Sequence, residues 1–210
     1  FGVIADGGCD RVVCDRLLGS FRHLARMSAA NRSVIDLAHH RRDIVQASQL
    51  CGTPAALTGH DFEMVFIPDA DRGTLCVSSQ VGCSLDCTFC ATARLKKMRN
   101  LNPDEIYDQV VAIDRQSRLY YDRPLSNIVF MGMGEPLANY EAVLKAARNL
   151  VAEDGMNFSH RRVTLSTCGL VPNMKKLGRD ISINLAVSLN AGDDSVRNLL
   201  MPVNRKHPLK

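Results

Sequence analysis

"NIVFMGMGEPLANYEAVLKAARNLVAED" occupies residues 127–154. It opens as a short apolar run, "NIVFMGMG", that ends in two glycines, Gly132 and Gly134. A run of that length bounded by glycines reads as a buried strand. The remainder, "NYEAVLKAARNLVAED", reads as a helix that stops near Gly155. One strand feeding one helix through a glycine turn is the unit from which parallel α/β folds are built.

The same rhythm extends in both directions. Upstream, "TLCVSSQV" (74–81) reads as a strand and "NPDEIYDQVVAIDRQS" (102–117) as a helix. Asn102 stands as N-cap, Pro103 at the first helical position and Glu105 where a capping box needs it. Ile106, Val110, Val111 and Ile113 make its apolar face. Downstream, "RVTLSTCG" (162–169) and "INLAVSLN" (183–190) are strands, and "VPNMKKLG" (171–178) and "DDSVRNLLM" (193–201) are helices. Four strand–helix units in succession predict a parallel sheet with helices outside. The strands are apolar enough for both faces to be covered.

Residues 1–60 read differently. "RLLGSFRHLARMSAANRSVIDLAHHRRDIVQ" (16–46) has apolar residues near helical spacing, and "CGTPAALTGHDF" (51–62) is rich in turn formers. A helical N-terminal region with a linker, then a second unit over 61–210, is the expected division.

The composition, 46% hydrophobic and 23% charged, excludes a disordered or fibrous chain. No apolar run approaches the roughly 18–20 residues that span a bilayer, so no membrane partner is expected. The first residues lack a basic start and long apolar core, so no secretory signal is read. Eight cysteines without such a signal point to a reducing compartment and to metal or catalytic use. The net charge of +4 is a mild bias toward polyanionic partners.

Each predicted strand ends in unusual residues: the cysteine loop "CSLDCTFCATA" (83–93), "GMGEP" (132–136), "STCG" (166–169) and "SLN" (188–190). Sites in parallel α/β folds form at the C-terminal strand ends, so these four segments should converge on one mouth. Cys83, Cys87 and Cys90 are spaced to turn their sulfurs inward around one soft metal centre. A structural zinc normally takes four ligands, and no second pair of cysteines lies nearby. A [4Fe–4S] cluster held by three thiolates would leave one iron open. Spacing alone leaves the open cluster, zinc and free thiols all standing. Gly132 and Gly134 would allow close backbone approach to a ligand, and Glu135 could accept from an ammonium group beside the cluster. Met131 and Met133 read as packing residues.

The Cys-x3-Cys-x2-Cys loop with a Gly-Glu-Pro strand end resembles the radical S-adenosylmethionine (SAM) superfamily. The blocks "DRGTLCVSSQVGCSLDCTFCATA", "VFMGMGEPLANY", "RRVTLSTCGLVPNM", "LAVSLNA" and "MPVNRK" resemble, in order, the RNA adenine-C2 methyltransferases, the RlmN family with its C8-methylating Cfr relatives. The resemblance runs from about Phe62 to Lys210. It implies a partial (β/α)6 radical SAM barrel of about four units, after a small helical RNA-binding region. It implies that Cys83, Cys87 and Cys90 ligate the cluster. It also implies that Gly134 and Glu135 contact the SAM amino group, and that Ser166, Ser188, Leu189 and Asn190 line the SAM pocket.

The same resemblance implies the substrates, an adenosine in large-subunit ribosomal RNA and one in tRNA. It implies a methyl-cysteine intermediate, because adenine C2 is too electron-poor to attack a methyl donor directly. Cys76 matches the cysteine that resolves the protein–RNA adduct, and Glu63 the proton acceptor. Without the resemblance they read as a buried strand cysteine and an exposed strand carboxylate. An electron donor such as a flavodoxin or ferredoxin, a monomeric state and a cytoplasmic or organellar-matrix location go with this reading. The methyl-carrying cysteine is not among the residues present, so a truncated chain, inactive alone, is the expectation. C8 methylation, or a non-catalytic iron–sulfur or zinc RNA-binding fragment, are the alternatives.

Overall fold

The computed structural model describes residues 33–35, 48–52, 62–69 and 71–209. Nine described strands form two sheets. The strands are β1 (Ser33–Ile35), β2 (Ser48–Gly52), β3 (Glu63–Pro68), β4 (Gly73–Cys76), β5 (Gln80–Val81), β6 (Arg99–Asn100), β7 (Asn127–Phe130), β8 (Val163–Thr167) and β9 (Asn184–Val187). The helices are α1 (Ala91–Arg94), α2 (Pro103–Tyr121), α3 (Tyr140–Val151), α4 (Val171–Asp180) and α5 (Asp194–Leu200).

The large sheet has the order β1-β2-β3-β4-β7-β8-β9. From β4 onward every pairing is parallel, and the strands lie in sequence order. Right-handed crossovers in one direction put all their helices on one side. The sheet is therefore singly wound, as a barrel wall is. This corrects the expectation that both faces are covered. Ile128, Phe130, Val163 and Leu165 are fully buried beneath α2 and α3, while Val129, Thr164 and Ser166 on the opposite face are half-buried. Both faces read as apolar in the sequence because the second one lines the inside of the curve.

The first half of the sheet is antiparallel, β1 to β4. Here the helical reading of residues 1–60 needs correction: Ser33–Ile35 and Ser48–Gly52 are strands. Val34 and Ile35 of β1 are β-branched and suit a strand, and the backbone pairing of β1 to β2 and of β2 to β3 outweighs a weak helical periodicity. The rest of that region lies outside the described residues. β9 is an edge strand, and its Leu185 and Val187 are 42% and 46% exposed. None of the described helices is long and apolar enough to cross a membrane.

α2 begins as the sequence predicts. The Asn102 N–H donates to Glu105 Oε2 at 2.8 Å, closing one side of the capping box. Arg99 of β6 grips the same carboxylate with two bonds of 2.8 and 2.7 Å. The Arg99 guanidinium is the main cause that holds the Glu105 carboxyl below its ordinary 4.5, against burial. A depressed acid binds fewer protons folded than unfolded, so its stabilisation is present above that ordinary value and lost as pH falls through the folded one. Stability should fall on acidification below about 4.5, and Glu105→Gln should remove that part of the slope. Urea unfolding across this pH range checks it; an unchanged slope in the variant contradicts the assignment.

Candidate active site

The cysteine loop is built on a clasp. β5 and β6 pair antiparallel, Gln80 with Asn100 and Val81 with Arg99, and the Met98 N–H closes onto the Val81 carbonyl at 2.9 Å. Residues 82–98 are thereby drawn into one loop. Gly82 turns it at φ +73°, where a Cβ would lie 1.6 Å from the Lys96 carbonyl oxygen, so only glycine fits. The loop reaches across to α5, the Thr88 N–H donating to the Leu200 carbonyl at 3.0 Å. Cys87 packs on Met201 and Val203, with Cys90 and Cys168 beside it.

The turn after β7 locks onto the segment after β4. Ser79 and Gln80 N–H groups donate to the Met133 carbonyl, and Gln80 Oε1 accepts from the Glu135 N–H at 2.9 Å. The glycines of "GMGEP" serve this internal approach. A Cβ on Gly132 would strike Ser78 and the Val77 carbonyl at 2.7 Å, and one on Gly134 would strike Gln80 at 2.5 Å. Met133 is buried as expected, but Met131 is 44% exposed.

Glu135 is 2% exposed. Its Oε1 accepts from the Leu137 N–H at 3.0 Å and the Thr167 hydroxyl at 2.7 Å, and its Oε2 from the Cys168 N–H at 2.8 Å. Burial pushes the carboxyl up, against the donors that pull it down. Two oxygens with about four lone-pair sites retain room for one more donor.

Arg197 of α5 closes the constellation. It is 3% exposed, and its guanidinium donates to the carbonyls of Cys168 (2.8 Å) and Leu189 (3.0 Å) and to Asn204 Oδ1. The Ser188 N–H meanwhile donates to the Thr167 carbonyl at 2.9 Å. The ends of β4, β7, β8 and β9 are thus bonded into one rim.

The thiols differ in character. Burial pushes Cys83 up to about 11, and the nearby Cys90, Cys87 and Glu135 add to the rise. Cys87 is held low, first by a hydrogen bond from the Cys168 thiol and also by the Arg197 charge. Cys168 is held protonated by the same contact and by burial. Burial raises Cys76 to about 11. Cys76, Cys83, Cys87, Cys90 and Cys168 are free thiols. Among the described residues no three His, Cys, Asp or Glu side chains are gathered closely enough to hold an ion as they stand. The donor set nevertheless fits an iron–sulfur group: three free thiols on one clasped loop, with a guanidinium beside one of them to favour the thiolate that iron requires.

The profile of the Radical SAM superfamily matches residues 77–210. The chain belongs to the radical SAM superfamily. Its relatives include the probable dual-specificity RNA methyltransferase RlmN of Christiangramia forsetii, 52% identical over 91% of this chain and 56% of the relative. The dual-specificity RNA methyltransferase RlmN of Syntrophobacter fumaroxidans is 56% identical over 72% of this chain and 44% of its own length. A crystal structure of a radical SAM methyltransferase from Sphaerobacter thermophilus superposes with a TM-score of 0.73 at 42% identity, covering 83% of this chain and 51% of that one. The chain spans about half the length of the curated relatives it matches. Radical SAM membership implies a [4Fe–4S] cluster and SAM.

Within this radical SAM fold the structure brings most of the sequence-predicted residues to one end of the sheet. Cys76 ends β4 in register with Val129, on the half-buried inner face that also carries Ser166. The backbone of Glu63 lies two residues beyond Val65, the partner of Cys76, and so at the same end. Asn190 adopts φ +58° and donates to Met201 Sδ at 3.1 Å. An open cleft of about 300 Å³ lined by His160, Arg161 and Asn184 lies at the opposite ends of β8 and β9, away from this mouth.

Sequence reading missed Gln80, Thr167, Arg197 and Asn204, which hold the rim together. Their signal was faint: Gln80 and Thr167 are single polar residues in short strands, Arg197 one arginine in a helix, and Asn204 one amide in the turn that follows it. Glu135→Gln keeps the shape but turns an amide toward N–H or O–H donors. It should cost about 1–3 kcal/mol, read as a lower urea midpoint. A midpoint equal to that of the parent would show that the three bonds contribute nothing.

Proposed function

We propose that this chain is the cluster- and SAM-binding portion of an RNA adenine-C2 methyltransferase. The observation that supports it best is the convergence of the cysteine loop, Glu135 and the β8 and β9 ends on one rim, in a superfamily chain about half identical to RlmN-named relatives. Cys83, Cys87 and Cys90 would hold the [4Fe–4S] cluster. When bound, the cluster supplies the electron that cleaves SAM reductively. Gly134 and Glu135 would orient the SAM amino group, with the spare acceptor capacity of the carboxylate as the docking point. Ser166, Ser188, Leu189 and Asn190 would line the SAM pocket.

Cys76 is proposed as the thiol that resolves a covalent protein–RNA adduct, and Glu63 as the proton acceptor. Burial keeps Cys76 protonated at neutral pH, so its attack needs a base at the mouth. Large-subunit rRNA and tRNA are the proposed substrates and a flavodoxin or ferredoxin the reductant, with a monomeric protein in the cytoplasm or an organellar matrix. Residues 1–60 would belong to an RNA-binding region and 61–210 to the first part of the barrel.

The test is a fusion of this chain to the remaining part of the Christiangramia forsetii relative, expressed in cells lacking their own adenine-C2 methyltransferase. Nucleoside mass spectrometry of ribosomal and transfer RNA should show 2-methyladenosine. 8-Methyladenosine, or unmodified RNA, would overturn the assignment. In the chain itself, Cys87→Ser should abolish iron binding; a variant that still assembles a full cluster would remove Cys87 from the ligand set.

A further inference from the structure

Asn139 stands at the N-cap of α3. An asparagine there ordinarily turns its side chain onto the free N–H groups of its own helix. Asn139 makes no such bond. It is buried, and its amide serves the base of the cysteine loop instead. Nδ2 donates to the Ser79 carbonyl and to the Leu101 carbonyl, both at 2.8 Å. Ser79 precedes β5 and Leu101 follows β6, so these are the two ends of the clasp. The Leu101 N–H also donates to the Ser79 carbonyl, at 3.1 Å. Two carbonyls facing one side chain need two donors, which asparagine supplies and aspartate or serine does not.

Gln80 ties the same two parts a second time. It is fully buried; its Nε2 donates to Asn100 Oδ1 of β6 at 2.8 Å, and its Oε1 accepts from the Glu135 N–H at 2.9 Å. Asn139 in turn ends the short 3-10 turn Pro136–Asn139 that Glu135 caps. The Ala138 N–H closes that turn onto the Glu135 carbonyl at 3.0 Å. Apolar side chains would fill these two positions without the cost of burying an amide. What the amides add is direction, because each bond is satisfied in one relative placement of loop and turn.

We propose that Gln80 and Asn139 are positioning residues that fix the cysteine loop relative to the Glu135 turn, and so set the spacing between cluster and SAM amino group. The inference rests on the reading of the loop as cluster-bearing and of Glu135 as the SAM contact. Both side chains act through backbone and through Asn100, and neither is a cluster or SAM contact itself. A ligand that must meet the open iron and the Glu135 carboxylate together tolerates little error in that spacing.

The test compares the unmutated chain with Asn139→Ala, Gln80→Met and Tyr140→Phe. Tyr140→Phe removes a 2.7 Å bond to Asp180 Oδ2 between α3 and α4, away from the clasp, and controls for lost stability alone. In the cluster-free chains, hydrogen exchange is read at the Met98 and Leu101 amides, which the clasp protects. Both should exchange roughly tenfold faster in Asn139→Ala and Gln80→Met, with Ile128 and Leu165 of the core strands unchanged. After reconstitution with iron and sulfide, the two variants should keep the iron content of the unmutated chain. The SAM concentration that half-converts the electron paramagnetic resonance signal should rise on the order of 10–100-fold. Tyr140→Phe should match the unmutated chain in both readings. Clasp amides that exchange at the parent rate in both variants overturn the proposal. So does an unchanged SAM titration at equal iron, or an equal shift in Tyr140→Phe. Loss of the iron itself in both variants also overturns it, since the amides would then shape the loop rather than place it. If SAM leaves the signal of the unmutated chain unaltered, the proposed function fails, while the exchange rates decide the tie between loop and turn on their own.

Discussion

The buried Glu135 carboxylate is the interaction on which the rest of the mouth depends. A charge taken out of water must find donors or it destabilises what surrounds it. Glu135 finds them at the turn that follows it and at the end of β8, through Leu137, Thr167 and Cys168. Its own N–H is held by Gln80, from the segment after β4. One residue therefore ties three consecutive strand ends, and Arg197 extends the tie to the β9 end and to Asn204. The cysteine loop hangs from this frame rather than from a core of its own. Few apolar residues lie around Cys87, and its clasp is only two residues long on each side.

Much of the fold could be read from local pattern. The helix 102–117 carried its own start signal, and the structure begins α2 at Pro103. The runs around Ile128 and Leu165 were strands because nothing else accommodates a short apolar run ending in polar or glycine residues. What could not be read was which side of the sheet the helices take. Half-buried Val129 and Ser166 face the inside of a curve, and composition does not distinguish that surface from a second helix layer. The strands Ser33–Ile35 and Ser48–Gly52 were equally hidden, since three to five residues give too few positions for a period to show and their pairing partners lie elsewhere in the chain.

The candidate site divides along the same line. Cysteine spacing announces a soft-metal loop because the signal is local. The rim that positions the loop is non-local. Gln80, Thr167 and Arg197 act across strand ends, and each alone looks like an ordinary polar residue. The glycines of "GMGEP" were noticed for the right reason, close backbone approach. Their neighbours turn out to be Ser78 and Gln80 of the protein itself. In the proposed enzyme this places the recognition of SAM on a rigid rim, where Glu135 is pre-set by three donors.

The central claim is that the three-cysteine loop holds a cluster with one iron left open to SAM. The measurement that bears on it most directly is reconstitution of the chain with iron and sulfide, followed by electron paramagnetic resonance of the reduced protein with and without SAM. The account predicts about four irons per chain and a signal that changes when SAM is added. Stoichiometric zinc in place of iron, or a cluster signal that SAM leaves unaltered, would contradict it.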